Sequence, residues 1–285
     1  MAMVKSLRFD RTRVVLTHAF LIGGAFCMVY PLLWMLGSSF KPDSEIFANL
    51  NPIPRSFDLT NYFAGWTLGT GTSFSTFYLN SLLVCLGAII GNLMSCSLAA
   101  YAFARIRFRF RPMWFAIMLG TLMLPFHVTV VPQYIIFNKL GWTNSFLPLI
   151  VPKFFAVDAF FIFLMVQFIR GIPVELEEAA MVDGCNRPQI FTRIILPLIK
   201  PPLITTTIFT FIWTWNDFFS QLLYLNTESN YTVSLGLRQF LDASGRSSWG
   251  AMFAMTTLSL VPVFIVFLFF QKRLVEGIAT TGIKG

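Results

Sequence analysis

The chain has 285 residues, of which 56% are hydrophobic and only 12% are charged, whereas about 25% of residues are charged in an average soluble domain. A soluble protein cannot hide that much apolar surface, so the composition excludes an ordinary soluble fold and favours an integral membrane protein, whose solvent is lipid. The formal net charge is +8, but the basic residues lie between apolar runs. We interpret them as topology signals and expect no nucleic-acid partner.

Six apolar runs are long enough to cross about 30 Å of hydrocarbon as helices, which takes ~20 residues each. They lie at residues 14–36, 78–103, 113–137, 146–169, 202–224 and 249–271. Continuous runs of this length cannot be the alternating strands of a barrel. The predicted fold is therefore an all-α integral membrane bundle of six transmembrane helices, surrounded by membrane lipid.

The distribution of basic residues predicts the orientation. The N-terminus, residues 104–112, residues 170–200 and the C-terminus hold 15 Lys and Arg residues, whereas the segments on the opposite side hold 6. Because cytoplasmic segments carry the excess of positive charge, both termini are predicted to be cytoplasmic. The alternating arginines of the 104–112 loop are interpreted as an interfacial anchor: Arg105, Arg107, Arg109 and Arg111.

Two outer segments, residues 37–77 and 225–248, are long for connections and contain turn residues and aromatics. Loops of this length are usually functional or disordered, and their composition here favours ordered loops. Within the second span, small residues recur every fourth position from Gly87 to Ala99. This stripe predicts close helix packing, either inside this subunit or against another. Asn80 and Asn92 in the same span are expected to bond between helices.

Few ionisable residues fall in the spans, and they include Lys153, Asp158 and Asp217. Lys153 and Asp158 are five residues apart and are not ideally aligned on one helix face, so Lys153 is expected to extend outward. Asp217 belongs to an aromatic and polar cluster that is a candidate translocation path: Trp213, Trp215, Asn216 and Asp217. Aromatic rings beside polar groups suit sugar recognition, but they suit an interfacial aromatic belt equally well.

The chain contains no phosphate-binding loop, HExxH or GxSxG motif, and its cysteines lack metal-ligand spacing. It is therefore predicted not to be an enzyme, with no cofactor and no metal of its own. An energy source for uphill transport would lie on another chain. The alternatives are a stand-alone secondary transporter or channel driven by an ion gradient and, less in keeping with the motifs, a membrane-embedded enzyme.

Residues 170–201, the charged segment between the fourth and fifth spans, contain clear signals for helix starts and ends. Pro173 suits the start of a helix whose first turns hold three glutamates, and Gly184 suits the left-handed residue that ends it. A second short helix is expected from about Arg187, and Pro197, Pro201 and Pro202 are expected to break it. The resulting helix–glycine–helix elbow is either a docking surface or an amphipathic pair lying on the membrane.

The motif in this elbow resembles the EAA loop of ABC-importer permeases. Glu178-Ala179-Ala180, then Asp183-Gly184, then Ile194-x-Leu196-Pro197 reproduce the full spacing of that loop. The ends of the second span, Asn80–Leu83 and Ala99–Arg105, and the tail from Gln271 to Gly285 are similar to the carbohydrate branch, in particular the maltose-type second permease.

This resemblance implies a type I ABC importer. It implies a second permease subunit in a heterodimer, two cytoplasmic ATPase subunits that bind ATP and Mg, and a periplasmic or lipid-anchored solute-binding protein. The expected location is a bacterial or archaeal plasma (inner) membrane. The solute would be a sugar or a sugar derivative, although in maltose-type relatives the partner permease holds most of the sugar.

The resemblance also implies roles for individual segments. The EAA loop, residues 173–197, would seat in the ATPase through Glu178, Ala179, Ala180, Asp183 and Gly184, with Ile194, Leu196 and Pro197 completing the motif. Lys284 and Gly285 in the tail would also reach the ATPase, and residues 225–248 would meet the binding protein. The expected organisation is an N-terminal region 1–75, a transmembrane type-1 domain 76–272 and a cytoplasmic tail 273–285.

Overall fold

The computed structural model describes residues 11–67, 72–241 and 248–279. Fifteen α-helices are described in these ranges. They are α1 (Arg11–Ser38), α2 (Asp43–Ile46), α3 (Thr60–Thr67), α4 (Phe74–Arg105), α5 (Arg111–Thr121), α6 (Phe126–Lys139), α7 (Leu147–Ile150), α8 (Ala159–Arg170), α9 (Glu175–Val182), α10 (Arg187–Ile190), α11 (Leu196–Leu198), α12 (Lys200–Asn216), α13 (Phe219–Tyr224), α14 (Val233–Gly236) and α15 (Trp249–Ala279). No strand occurs in the described ranges, as expected for a helical membrane protein.

Shorter turns of other helix types connect several of these helices. The 3-10 turns are Val151–Phe155, Glu228–Asn230 and Leu237–Phe240, and a π-helical turn spans Phe191–Ile195. The chain divides into two compact units, one of Met1–Gly69 with Phe240–Leu258 and one of Thr70–Gln239 with Ser259–Gly285. The predicted N-terminal region 1–75 ends close to Gly69, but the first unit also includes the beginning of α15.

Four segments are long and apolar enough to cross a membrane: Arg13–Ser38, Phe74–Arg105, Leu147–Arg170 and Trp249–Gln271. Two further candidates are bent pairs of helices, and in the second pair only Lys200–Asn216 corresponds to a predicted span. Arg111–Thr121 meets Phe126–Lys139 at 100°, and Arg187–Leu198 meets Lys200–Asn216 at 75°. The six predicted spans are thus present as apolar segments, but the prediction of a continuous helix over 113–137 is wrong.

The other predicted boundaries also shift. The fifth span ends at Asn216, because Asp217 has an extended backbone (ψ 113°), and residues up to Tyr224 belong to the separate helix α13. The fourth span is interrupted at Ala156, which adopts a left-handed conformation (φ 55°) between the 3-10 turn and α8. A non-glycine residue with positive φ ends regular helix locally.

In the first unit, hydrogen bonds hold the described part of the outer segment predicted at residues 37–77 in a defined conformation. Lys41 is buried and its ammonium donates to the carbonyls of Asn49 (3.0 Å) and Asn51 (2.6 Å). The Asn61 amide donates to the carbonyls of Ser39 (2.9 Å) and Lys41 (2.8 Å). These bonds close the segment on itself because buried cations and amides need partners.

The second unit is organised around α4. The predicted small-residue stripe packs inside this subunit, because a side chain at Gly87 would meet Ile150 and one at Gly91 would meet Lys153 and Phe154. Ser95 in the same stripe donates to the Lys153 carbonyl (2.6 Å). The stripe therefore lets the segment before α8 approach the α4 backbone closely.

Both predicted interhelical asparagines are bonded, although only one joins two spans. The Asn92 amide donates to the Thr210 hydroxyl of α12 (3.0 Å) in the buried interior. The Asn80 amide instead donates to two carbonyls of the outer segment 225–248, those of Ser229 (2.8 Å) and Tyr231 (2.9 Å). These hydrogen bonds satisfy the N–H groups of both amides and so reduce the cost of placing them in an apolar bundle.

Candidate functional site

The predicted elbow is present at residues 175–198. Helix α9 begins at Glu175, two residues after Pro173, with glutamates in its first turn where the positive end of the helix favours them. It ends at Val182, and Gly184 two residues later has a φ of +84°. Gly184 N–H donates to the Met181 carbonyl (3.1 Å) and Cys185 N–H to the Ala180 carbonyl (2.9 Å), which together form a Schellman motif.

The second half of the elbow has a start signal that sequence reasoning missed. Asn186 and Gln189 form a capping box, in which each side chain accepts a hydrogen bond from the other residue's backbone N–H (3.0 and 2.8 Å). The Asn-x-x-Gln spacing before an apolar run could have predicted this cap. Helix α10 is followed by the π-helical turn Phe191–Ile195 and by α11, and the chain bends at Ile199 before α12 begins.

The elbow has a buried side and an exposed side. The buried side contributes Ala180, Ile190, Phe191 and Ile195 to one apolar core with α4 and α8. The exposed side includes Glu178, Ala179, Asp183, Gly184 and Pro197, whereas Ile194 and Leu196 are half-buried. Among the apolar residues of α9, Met181 is 45% exposed and Val182 is 88% exposed.

The buried and the exposed residues of the motif therefore have different roles. Ala180, which the motif places among the docking residues, is only 7% exposed and packs against its own chain. An exposed apolar face on a helix that is otherwise fixed to a core is typical of a partner interface. The part of the motif open to a partner is therefore Glu178, Ala179 and the turn at Asp183 and Gly184, together with the adjoining Val182.

A buried ion pair fixes α9 to the end of α4. The Arg105 Nε lies 2.5 Å from the Glu177 Oε1, and the two side chains are 11% and 6% exposed. Arg105 also donates to the Ile172 carbonyl (2.5 Å), and the Tyr101 hydroxyl donates to the other Glu177 oxygen (3.4 Å). The prediction that Arg105 is an interfacial anchor is wrong, because its guanidinium points into the protein.

The residues of the candidate translocation path separate into two environments. A cavity of about 420 Å³ in the second unit is lined by residues of α12 and its neighbours: Val84, Phe126, Leu149, Lys153, Ile212, Trp213, Thr214, Asn216, Asp217, Ser220 and Gln221. Trp213 is 50% exposed, and its indole stacks on Phe161 with 5.3 Å between ring centroids. One ring face is thus held by the protein.

Trp215 is not among the lining residues. It is 2% exposed, its indole N–H donates to the Ser259 carbonyl (3.1 Å), and it stacks on Phe211. A buried tryptophan with its one polar atom satisfied is a packing residue. The other two polar groups of the cluster are also engaged locally, since Asn216 donates to the Ile212 carbonyl (2.8 Å) and Asp217 accepts from Ser220 N–H (3.0 Å).

Lys153 does not extend outward as expected. Its ammonium lies 2.8 Å from the Asp158 carboxylate, and both side chains are partly buried. The five-residue spacing would separate them on a regular helix, but the break at Ala156 turns the chain and brings them together. The remaining predicted contacts, Lys284 and Gly285, lie outside the residues that the structure describes.

The comparisons with known proteins agree with this architecture. The model of the family described as "Binding-protein-dependent transport system inner membrane component" matches residues 84–280. A probable ABC transporter permease protein of Bacillus subtilis, YurM, is 36% identical over 258 residues, covering 90% of this chain and 84% of the relative.

Two further matches extend over nearly the whole chain. The trehalose/maltose transport system permease protein MalG of Thermococcus litoralis is 31% identical over 275 residues, covering 95% of this chain and 98% of the relative. A chain in the crystal structure of a bacterial ABC transporter involved in the import of the acidic polysaccharide alginate shares the fold, with a TM-score of 0.82, 24% identity and coverage of 95% and 99%. The chain therefore belongs to the binding-protein-dependent transport system inner membrane components, the multi-pass permease subunits of ABC importers.

Proposed function

We propose that this chain forms half of the translocation path for a sugar or sugar derivative and that its elbow docks on a cytoplasmic ATPase subunit carrying ATP and Mg. A second permease chain would complete the path, and a periplasmic or lipid-anchored binding protein would deliver the solute. In this family the ATPase is a separate subunit, so the alternatives of a gradient-driven carrier and of an embedded enzyme are set aside.

One observation carries the docking proposal. The elbow combines a buried side that fixes it to the bundle with an exposed side that presents Val182, Met181 and the Gly184 turn. Acidic residues dominate the first turn of α9, and carboxylates are repelled by anionic lipid headgroups, which disfavours a helix lying on the membrane. A protein partner satisfies both features.

The orientation follows from the same assignment. Because the ATPase is cytoplasmic, α9 and the basic 104–112 loop would face the cytoplasm, in agreement with the excess of positive charge on that side. Both termini would then be cytoplasmic and residues 225–248 would lie outside, where the binding protein approaches. The tail residues Lys284 and Gly285 would be on the side of the ATPase.

Support for a sugar comes from the relatives and from one feature of the cavity. The relative MalG belongs to a trehalose/maltose transport system, and the structural neighbour is involved in the import of the acidic polysaccharide alginate. In the cavity, Trp213 has one ring face stacked on Phe161 and is half exposed, an arrangement that suits stacking of a ring under the C–H face of a sugar. We propose Trp213 as the solute contact, with Asn216 and Asp217 shaping the cavity wall.

The docking proposal is tested by co-purification from detergent-solubilised membranes. We expect wild type to retain the ATPase and the second permease, and Val182→Asp to lose the ATPase selectively, because a carboxylate would be buried unpaired in the interface. Leu50→Asp is the matched control, since it places the same charge at an exposed apolar position of the other unit. Equal ATPase recovery with all three chains would contradict docking through α9.

A further inference from the structure

Helix α4 is bonded at both ends to segments that the proposed function places on opposite sides of the membrane. It has 32 residues and is therefore ~48 Å long at 1.5 Å per residue. Near its N-terminus the Asn80 amide holds two carbonyls of the outer segment, and the Ser81 hydroxyl accepts from Val233 N–H (2.9 Å). Near its C-terminus Tyr101 and Arg105 hold Glu177 of α9.

The contact of Glu177 with Arg105 joins α9 to α4 through side chains and not through the backbone that follows α9. The chain leaves α9 through Gly184 and reaches α12 through α10 and α11, so the covalent path from the elbow leads to the fifth span. The contact of Glu177 with Arg105 instead links the elbow to α4, 72 positions earlier in the sequence. A displacement of α9 can therefore pass into the bundle through the backbone to α8 and α12, through the apolar core shared with α4 and α8, and through this ion pair.

The surroundings of the pair suit a rigid joint. Both side chains are almost fully buried, Arg105 is additionally fixed by the Ile172 carbonyl just before α9, and Tyr101 fixes the second carboxylate oxygen. Charged groups removed from water hold a defined geometry, because each lost hydrogen bond leaves a polar group unsatisfied. Arg107 and Arg109 of the same loop do not share this setting, since both are exposed.

We propose that Arg105 and Glu177 are positioning residues that transmit the movement of the ATPase-docked helix α9 to α4, and through α4 to the outer segment at Ser229 and Tyr231. This inference rests on the proposed docking of α9. It assigns Glu177 a task different from that of its neighbour Glu178, which is exposed on the docking side. Breaking the pair uncouples ATP hydrolysis from transport while the ATPase remains docked.

The test uses the complete importer reconstituted in liposomes, with its binding protein and with maltose-type oligosaccharides screened as solutes. The measured quantity is the number of solute molecules transported per ATP hydrolysed. Glu177→Gln and Arg105→Met are each expected to lower this ratio at least five-fold while the ATPase still co-purifies. The double variant Arg105→Met/Glu177→Leu, which replaces the ion pair by an apolar contact, is expected to recover most of the wild-type ratio.

The matched control is Arg107→Met, at an exposed position of the same loop, and it is expected to keep the wild-type ratio. An unchanged ratio in the two single variants would overturn the inference. Loss of the ATPase from the single and double variants alike would also overturn it, since the pair would then only maintain the docking surface. If wild type itself retains no ATPase, the proposed function fails instead.

Discussion

The elbow and the aromatic cluster at the end of α12 are both conspicuous in the sequence, but their side chains are used differently. In the cluster the tryptophan at 215 is buried and the polar groups of Asn216 and Asp217 bond to nearby backbone. In the elbow the buried side packs into the apolar core with α4 and α8, yet Val182 remains 88% exposed. The comparison teaches that a functional surface is recognised by what its neighbours leave unsatisfied rather than by its composition.

The largest effect expected from this comparison concerns the two tryptophans. Trp215→Ala should destabilise the bundle by about 3–5 kcal/mol, because it removes a buried aromatic side chain and leaves the Ser259 carbonyl without its donor. Trp213→Ala should change stability far less, because its side chain is half exposed, but it should weaken solute uptake. Thermal unfolding of the purified complex and initial rates of uptake measure the two effects.

The assignment of Trp213 to solute contact has a result that would contradict it. A Trp213→Ala importer that transports at the wild-type rate over a range of solute concentrations would show that Trp213 belongs to packing, with the interfacial aromatic belt as the better interpretation. Trp213→Phe serves as the control, since it keeps a ring for stacking while removing the indole N–H.

A smaller effect is expected at the turn of the elbow. Gly184 has φ +84° and no atom within 4 Å of the position that a side chain would occupy, so substitution there meets backbone strain and no clash. Gly184→Val should cost about 1–2 kcal/mol, which corresponds to a roughly ten-fold weaker ATPase affinity if the strain is relieved by leaving the docked conformation. This affinity is measured by titrating the purified permease complex with the ATPase subunit.

Gly184→Asn is the control for that prediction. Asparagine tolerates the left-handed region better than other residues with a side chain, so its affinity should lie close to that of wild type. Equal weakening by asparagine and valine would mean that the absence of a side chain, and not the backbone conformation, is what the partner requires at this turn.

The sequence predicted the apolar segments well and their breaks poorly. The chain bends by 100° between α5 and α6, where Pro125 precedes α6. Proline alone could not have shown this, because Pro31, Pro132 and Pro262 lie inside helices that continue through them. Neighbouring helices can satisfy the backbone groups that a proline frees, so tertiary packing decides which prolines break a span.

The elbow shows the same limit at the level of single residues. Its motif, its Gly184 turn and its acidic first turn were all readable from spacing and helix-end chemistry. The pairing of Glu177 with Arg105 was not, because no local pattern connects residues so far apart in the sequence. The arginine run predicts the basic side from its charge alone, but the buried position of Arg105 emerged only from the packing of α9 against α4.

The most direct test of the account is photo-crosslinking from the exposed face of α9 in native membranes. A photoreactive phenylalanine analogue at Val182 should form an adduct with the ATPase subunit, and the same analogue at Leu50 should not. We expect one ATPase adduct at 182. Adducts from 182 only with lipid, or with no ATPase under any nucleotide condition, would contradict the claim that α9 is the docking helix.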